Sequence, residues 1–162
     1  MNNYQEVEGN LITLAKEGMF DVIAHGCNCF STMGAGIAPQ MAKAFGCDNY
    51  PLENNEYRGD INKLGQIDYL SINLHRYEHS PIGILTIVNA YTQYYFGQKN
   101  GPPFDYDAFT LCMRKMNHVF KGKHIGLPKI GADLAGGNWN KILNIIHQEL
   151  VDCKVTIVIY KP

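Results

Sequence analysis

The feature that most constrains the fold of this chain is the alternation of short β-branched runs with amphipathic segments. Such runs are typical of buried strands, and they occupy residues 20–25, 82–90, 124–128 and 155–160, with a more alternating candidate at 66–74. Three amphipathic stretches are predicted to be helices, at 37–45, 106–120 and 139–150. Strands interleaved with helices predict a three-layer α/β fold with a largely parallel or mixed sheet.

The length and apolar content of the chain predict one domain with a core of its own. The chain has 162 residues, of which 46% are hydrophobic, and no stretch rich in proline, glycine and serine divides it. Residues 1–162 are therefore expected to form a single domain. The polar residues 46–65 are predicted to be a loop with one short helix at most.

Charge and cysteine content exclude several classes of protein. The chain has 14 basic and 15 acidic residues, so it lacks the basic surplus that nucleic-acid backbones and anionic membranes attract. The first residues do not resemble a signal peptide, and no apolar run approaches the roughly 18 residues of a spanning helix. Five scattered cysteines do not suggest a disulfide framework. We expect a cytoplasmic protein with no membrane partner and no general nucleic-acid binding.

Two glycine-rich segments, residues 25–39 and 128–139, share one design. Each leaves a predicted strand, crosses a glycine-rich turn and enters a predicted helix. Backbone N–H groups at such a turn and at a helix N-terminus bind phosphate, and open α/β sheets bind ligands at the carboxyl ends of their strands. Two such turns at one edge of a sheet predict a site that holds a diphosphate from both sides. The alternative is that both are ordinary turns.

Neither segment carries the signature of a redox-cofactor site or of a nucleoside triphosphatase. Pro39 stands where the third glycine of a dinucleotide fingerprint belongs, and no G-x-x-x-x-G-K-[ST] string is present. The H-x-C-x-C run of His25, Cys27 and Cys29 lacks the usual zinc spacing, and no second cluster completes four ligands. Neither a metal nor a cofactor is expected.

Three segments together resemble a macro domain: residues 21–29 (DVIAHGCNC), 33–38 (MGAGIA) and 128–132 (PKIGA). The likeness extends from Gly9 to Tyr160. It is stronger for the branch that holds the ADP-ribose-1″-phosphate phosphatases and the terminal ADP-ribose protein glycohydrolases. It implies an α/β/α sandwich with a mixed central sheet, and ADP-ribose in a cleft at the strand ends.

The resemblance also implies which residues bind ADP-ribose. Asp21 matches the acidic residue that accepts a hydrogen bond from the adenine amino group, and Tyr160 matches a position beside the adenine. The residues that match the first diphosphate loop are Gly34, Ala35, Gly36, Ile37 and Ala38. Those that match the second loop, which closes over phosphate and distal ribose, are Gly131, Ala132, Leu134, Ala135, Gly136 and Gly137.

Catalytic residues are expected around the distal ribose. Asn28 lies where this branch places a polar side chain on that sugar. His25, at a predicted strand end on the rim of the cleft, is either a general base or nucleophile or a hydrogen-bonded core histidine. Asp133, the only carboxylate of the second loop, either serves in catalysis or is exposed and idle.

Two further features bear on the mechanism. The glycohydrolase branch carries a lysine in the segment that matches residues 91–97, and this chain has none there, so a covalent lysine–carboxylate mechanism is not expected. Residues 92–105 form a long connection rich in aromatic residues and glycine. Long loops in compact domains tend to be functional, so a flap over the distal ribose is predicted. The alternative is a surface excursion whose aromatic residues pack on the core.

The sequence thus leads to an enzyme that hydrolyses a substituent at C1″ of the distal ribose, with ADP-ribose-1″-phosphate as the first candidate substrate. The rival hypothesis is a binding module that recognises free or protein-linked ADP-ribose without turning it over. A third is an ADP-ribosyl hydrolase acting on modified protein or nucleic acid. The expected partner is a small ADP-ribose derivative, with ADP-ribosylated macromolecules as a further possibility.

Overall fold

A computed structural model describes residues 3–97, 103–132 and 135–161 of the chain. Two of the expected site residues, Asp133 and Leu134, lie outside these ranges. Within them, six strands form one mixed sheet: β1 (Tyr4–Gly9), β2 (Val22–Asn28), β3 (Ile67–Asn73), β4 (Ile84–Gln93), β5 (His124–Leu127) and β6 (Lys154–Tyr160). Their order across the sheet is β1-β6-β5-β2-β4-β3. The first five are parallel, and β3 pairs antiparallel with β4.

Four α-helices in the described ranges cover the two faces of the sheet: α1 (Leu11–Lys16), α2 (Ala38–Phe45), α3 (Tyr106–Val119) and α4 (Trp139–Glu149). Helices α1 and α2 pack on one face, around Ile23 and Met41, while α3 and α4 pack on the other, around Met113 and Ile142. The predicted α/β/α sandwich with a mixed sheet is therefore confirmed. None of the described helices is both long and apolar enough to cross a lipid bilayer.

The structure adds elements that the sequence patterns did not predict. Strand β1 lies at one edge of the sheet and is only partly buried, so it lacks the continuous apolar run of a central strand. Helix α1 follows it at once, and the side-chain oxygen of Asn10 caps the helix by accepting from the Thr13 N–H at 3.1 Å.

Residues 46–65 form more than the loop with one short helix that was predicted. The described chain contains four one-turn 3₁₀-helices there: Cys47–Asn49, Pro51–Glu53, Asn55–Tyr57 and Ile61–Lys63. This segment, called the 46–65 segment below, carries two charged side chains that are buried, Glu53 and Lys63. The polar composition of this segment therefore did not reveal that part of it packs against the rest of the protein.

Candidate functional site

A cleft of about 760 Å³ opens at the edge of the sheet where the parallel strands end. Residues at or just beyond the carboxyl ends of five strands line it, among them Gly9, Tyr160, Pro128, Gly26 and Thr92. Neighbouring strands lie about 4.8 Å apart, so the four spacings from β1 to β4 give the cleft a length of about 19 Å. The carboxyl edge of a parallel sheet is where such folds bind ligands.

The first glycine-rich turn, residues 34–38, joins the end of β2 to the start of α2 and lines the cleft throughout. Gly36 has φ +66°, in the left-handed region that favours glycine. No side chain caps α2, whose first hydrogen bond runs from the Met41 N–H to the Ile37 carbonyl at 2.9 Å. The N–H groups of Ala38 and Gln40 precede that bond, so they remain as donors at the positive end of the helix.

The second glycine-rich turn faces the same cleft and is built differently. Lys129, Gly131 and Ala135 line the cleft, and Gly131 has φ +77°. A Cβ added to Gly131 would overlap the ring of Phe104, and one added to Gly137 would lie 2.7 Å from the Gly131 carbonyl oxygen. The Gly137 N–H donates to that oxygen at 2.8 Å. Close packing therefore fixes the path of this turn.

The electrostatics of the cleft favour an anion. Among the described residues that line it, Lys129 is the one charged side chain, and none is a carboxylate. The amino group of Lys129 lies 5.5 Å from the centre of the Trp139 ring, at the first residue of α4. Together with the amide donors at the start of α2, this lysine makes the middle of the cleft electropositive.

The two ends of the cleft differ in polarity. The end beside β1 and β6 is lined mainly by apolar or aromatic side chains: Leu11, Val158, Ile159 and Tyr160. The opposite end, beside β4, is lined by neutral polar side chains and one aromatic ring: Asn28, Thr32, Thr92, Gln93 and Phe96. A ligand that spans the cleft thus meets an apolar end, an electropositive middle and a polar end.

Asn28 lies at the polar end, as the sequence predicted, and its side chain also shapes the loop that follows β2. The side-chain oxygen of Asn28 accepts from the N–H groups of Phe30 and Thr32, at 2.9 and 3.3 Å. The side-chain nitrogen donates to the Thr32 carbonyl at 2.7 Å. Residues 28–32, called the Asn28–Thr32 loop below, therefore form a hydrogen-bonded unit that presents Asn28 and Thr32 to the cleft.

His25 does not lie in the cleft, which corrects the expected catalytic placement. Its ring is fully buried on the face of β2 that the 46–65 segment covers, and its Nε2 lies 2.7 Å from the Asn89 Oδ1. Asn89 donates its side-chain N–H to the Cys47 carbonyl, so Oδ1 accepts and the His25 proton is on Nε2. Burial lowers the pKa of His25 to about 4. His25 is a hydrogen-bonded core histidine, the alternative that the sequence left open.

Asp21 also lies away from the cleft. It precedes β2, and its carboxylate accepts from the His124 N–H at 2.8 Å at the amino end of the sheet. Gly26, the residue of β2 that first reaches the cleft, is five positions further along the strand, so about 17 Å separates Asp21 from the cleft. Asp21 therefore cannot contact an adenine bound there, because it lies at the amino end of β2 and the cleft lies at the carboxyl end.

Most of the expected glycine-turn residues line the cleft, and some do not. The expected residues that line it are Gly34, Ala35, Gly36, Ile37, Ala38, Gly131, Ala135 and Tyr160. Three others, Ala132, Gly136 and Gly137, are absent from the lining, and Gly137 instead supports Gly131 from behind.

Several residues that line the cleft were not named individually as binding residues from the sequence, among them Gly9, Asn10, Leu11, Gly26, Thr92, Gln93 and Lys129. A Cβ on Gly26 would lie 2.9 Å from the Thr92 hydroxyl, so glycine keeps the cleft floor open. The Gly9-Asn10 pair could have been found, because an asparagine directly before the apolar residues of 11–15 is typical of a helix N-cap, and every parallel strand contributes its carboxyl end to the same edge.

Of the aromatic rings in the described part of the predicted flap, one lines the cleft, two pack near the protein surface, and Phe104 is buried in the core. Phe96 lines the cleft. The Phe30 ring lies edge-on to the rings of Tyr94 and Tyr95, with centres 5.0 and 5.3 Å apart. Residues 98–102 lie outside the described ranges, so the flap as a whole stays a prediction.

Comparisons with known proteins support the same architecture. No protein-family model matches the chain. It is 34% identical, over 96% of its own length and 96% of the relative's, to an uncharacterized 17.5 kDa protein of the tk-vs intergenic region of Enterobacteria phage T4. The macrodomain of Thermus aquaticus DarG superposes with a TM-score of 0.66 at 21% identity and 98% coverage of both chains. Thermosipho africanus DarTG, solved in complex with ADP-ribose, gives 0.73 at 14% identity, over all of this chain and 42% of that one.

Proposed function

This chain has the macro domain fold and belongs to one family with the phage T4 protein, and from its cleft we propose that it binds ADP-ribose and hydrolyses a substituent at C1″ of the distal ribose. The observation that carries the proposal is that two glycine-rich turns line one cleft, the first through residues 34–38 and the second through Lys129, Gly131 and Ala135. Thermosipho africanus DarTG, of which 42% matches this chain, was solved in complex with ADP-ribose, which supports the choice of ligand.

The diphosphate is assigned to the middle of the cleft. There the N–H groups of Ala38 and Gln40 supply donors, and Lys129 of the second turn adds a positive charge to the lining. Two phosphates carry two negative charges, and no carboxylate among the described lining residues repels them. Donors held by a folded backbone need little reorganisation when the anion arrives.

The adenine base and the distal ribose are assigned to the two ends of the cleft by polarity. The apolar end, with Leu11, Val158 and Tyr160, suits the faces of a purine base. The polar end, with Asn28, Thr92 and Gln93, suits the hydroxyl groups of the distal ribose. A cleft about 19 Å long accommodates base, diphosphate and both sugars in an extended arrangement.

For the chemistry, ADP-ribose-1″-phosphate is the substrate we propose first. Water attacks the terminal phosphorus, the bond from phosphorus to the C1″ oxygen breaks, and ADP-ribose and inorganic phosphate leave. No titratable side chain lines the polar end among the described residues, and His25 is buried behind it, so we assign the rate gain to positioning and to backbone donors on the phosphoryl oxygens. Asp133 is the carboxylate that the second turn offers as a general base.

A binding module without turnover is the second candidate, and one specific observation favours it. The described lining at the polar end consists of amides, hydroxyls and one phenyl ring, all of which bind a sugar without transferring a proton at neutral pH. Hydrolysis of ADP-ribosyl groups from protein or nucleic acid would use the same cleft and is distinguished by substrate alone.

The test combines calorimetric titration of ADP-ribose with a substrate panel. The panel contains ADP-ribose-1″-phosphate, O-acetyl-ADP-ribose, ADP-ribosylated protein and ADP-ribosylated DNA. The proposal expects ADP-ribose to bind and phosphate to be released from the first substrate, with Asp133→Asn slowing release and leaving ADP-ribose affinity unchanged. Binding without turnover of any substrate would assign the protein as a binding module, and no binding of ADP-ribose would overturn the proposal.

A further inference from the structure

Three consecutive residues of the Asn28–Thr32 loop are each held by the 46–65 segment. The Cys29 carbonyl accepts from the Gly59 N–H at 2.7 Å, and the Phe30 carbonyl accepts from the Arg58 guanidinium at 2.6 Å. The Ser31 hydroxyl oxygen accepts from the Lys63 amino group at 3.0 Å. The segment therefore forms a support behind the loop that shapes the polar end of the cleft.

Ser31 is the strained point of this loop. Its φ is +58°, in the left-handed region that residues other than glycine, asparagine and aspartate seldom adopt. Such a conformation persists only where the surrounding structure holds it. The Ser31 hydroxyl accepts the hydrogen bond from Lys63, and it also interacts with the Glu53 carboxyl group, whose pKa it lowers. The bond from Lys63 is therefore placed to hold the left-handed residue against the buried cluster.

Lys63 is buried to an unusual degree for a lysine, with 2% of its surface exposed. Its amino group also lies 4.9 Å from the centre of the Tyr91 ring. The Tyr91 hydroxyl donates to Glu53 at 2.7 Å and lies 3.4 Å from an oxygen of Asp68, and both carboxyl groups are buried. Burying three ionisable groups together is costly, so an apolar layer of the same volume would support the sheet as well.

One buried polar contact of this cluster leads to the cleft. Lys63 itself does not line the cleft, but Thr32, the residue after its partner Ser31, does. Burial raises the pKa of Glu53 and of Asp68, and the charge of Lys63 opposes both shifts, which shows that the lysine is electrostatically tied to the cluster. The buried carboxyl groups thus hold the Lys63 amino group in place, and that amino group in turn holds Ser31 in the Asn28–Thr32 loop.

We propose that Lys63 is a positioning residue for the distal end of the ligand: its hydrogen bond holds Ser31 left-handed and thereby sets the Asn28–Thr32 loop that receives the distal ribose. The assignment of that sugar rests on the proposed function. Because Lys63 acts only through the loop, its loss affects ligands that reach the polar end and spares ligands that stop at the diphosphate.

The experiment compares the affinities of ADP-ribose and ADP, which lacks the distal ribose, in matched variants. Lys63→Met and Ser31→Ala are expected to weaken ADP-ribose about tenfold and to leave ADP within about twofold, because one hydrogen bond from a charged donor is lost. Lys115→Met is the control. Lys115 also holds this part of the chain, donating to the Gly65 carbonyl at 2.7 Å, but on the side that faces α3. It should change neither affinity.

A rescue variant separates positioning from general stability. Glycine adopts the left-handed conformation without help, so Ser31→Gly in the Lys63→Met background should restore most of the lost ADP-ribose affinity. Equal losses for ADP and ADP-ribose, or no rescue by glycine, would overturn the proposal. Ser31→Ala keeps the test decisive if Lys63→Met does not fold, because it leaves the buried charges in place.

A second readout does not depend on any ligand. The N–H groups of Phe30 and Thr32 are bonded to the Asn28 side chain, so their hydrogen exchange reports on the loop. Both should exchange faster in Ser31→Ala than in the wild-type protein, with core strands unchanged. If the wild-type protein binds neither nucleotide, the proposed function fails, and unchanged exchange at these two amides would independently refute the role of Lys63.

Discussion

The two glycine-rich turns of the cleft resemble each other in sequence and differ in what holds them. The first, residues 34–38, is largely exposed, and its one left-handed glycine, Gly36, leads into a helix that no side chain caps. The second is wedged against Phe104, with Gly131 and Gly137 in contact through their backbones. Glycine therefore leaves backbone N–H donors exposed in the first turn and permits close packing in the second. Substitutions in the first turn should mainly change ligand affinity, and those in the second should mainly change stability.

The largest loss of stability in either turn is expected for Gly131→Ala. The new methyl group would overlap the Phe104 ring and force an alanine to adopt φ +77°, so unfolding should require about 4 kcal/mol less free energy. Urea denaturation measures this loss. Phe104→Leu in the same chain removes part of the overlap and should recover part of the stability. A Gly131→Ala protein as stable as wild type would show that packing does not fix the second turn.

His25, in the strand that leads into the first turn, should make the free energy of unfolding decrease at acid pH. His25 is neutral when folded, with a pKa near 4, whereas an unfolded histidine has a pKa of about 6.5, so stability is full above pH 6.5 and falls as pH decreases towards 4. The loss attributable to His25 should approach about 3 kcal/mol at pH 4.

Urea unfolding at several pH values, with His25→Gln as reference, isolates this loss. The reference is needed because the raised pKa values of Glu53 and Asp68 act with the opposite sign and favour the folded protein as pH decreases. Parallel pH curves for the two proteins would contradict the buried, neutral state of His25.

A matched pair of alanine substitutions tests the first turn. Gly36→Ala places an alanine at φ +66° and should cost about 1 kcal/mol of stability and weaken ADP-ribose through the displaced helix start. Gly34→Ala, two residues earlier, meets its nearest atom, a methyl group of Thr32, at 3.8 Å and should change stability by less than about 0.5 kcal/mol. Identical behaviour of the two variants in denaturation and titration would show that the left-handed glycine has no special role.

The smallest expected effect concerns Lys129, the one charged side chain among the described residues that line the cleft. Lys129→Met should weaken ADP-ribose about fivefold at low salt and less at high salt, because an exposed charge is screened. Lys141→Met is the control, since the Lys141 amino group lies over the Tyr106 ring, 4.0 Å from its centre and outside the cleft. A salt-independent loss, or an equal loss in the control, would exclude a direct charge interaction with the diphosphate.

Local sequence patterns predicted the parts of this molecule that local forces determine. The apolar periodicity of 139–150 predicted α4, and the strand–glycine–helix patterns predicted both turns, because short-range backbone preferences decide these features. Edge strand β1 escaped prediction because its six residues show neither an apolar run nor an alternation of apolar and polar side chains.

The placement of individual side chains was less predictable, because it depends on which end and which face of a strand they occupy. Asp21 precedes β2, so it lies at the amino end of the sheet, opposite the cleft. His25 falls on the covered face, which a strand apolar on both sides does not reveal. Lys63 meets Ser31 across 32 residues of sequence, and no local pattern marks such a contact.

Calorimetric titration of the wild-type protein with ADP-ribose, ADP and adenosine tests most directly whether the two turns together bind a diphosphate. The account predicts that ADP-ribose and ADP bind at one site, and that adenosine binds at least about a hundredfold more weakly, because it forms none of the charge-assisted bonds to the turns. Adenosine binding as tightly as ADP, or no binding of either diphosphate, would contradict it.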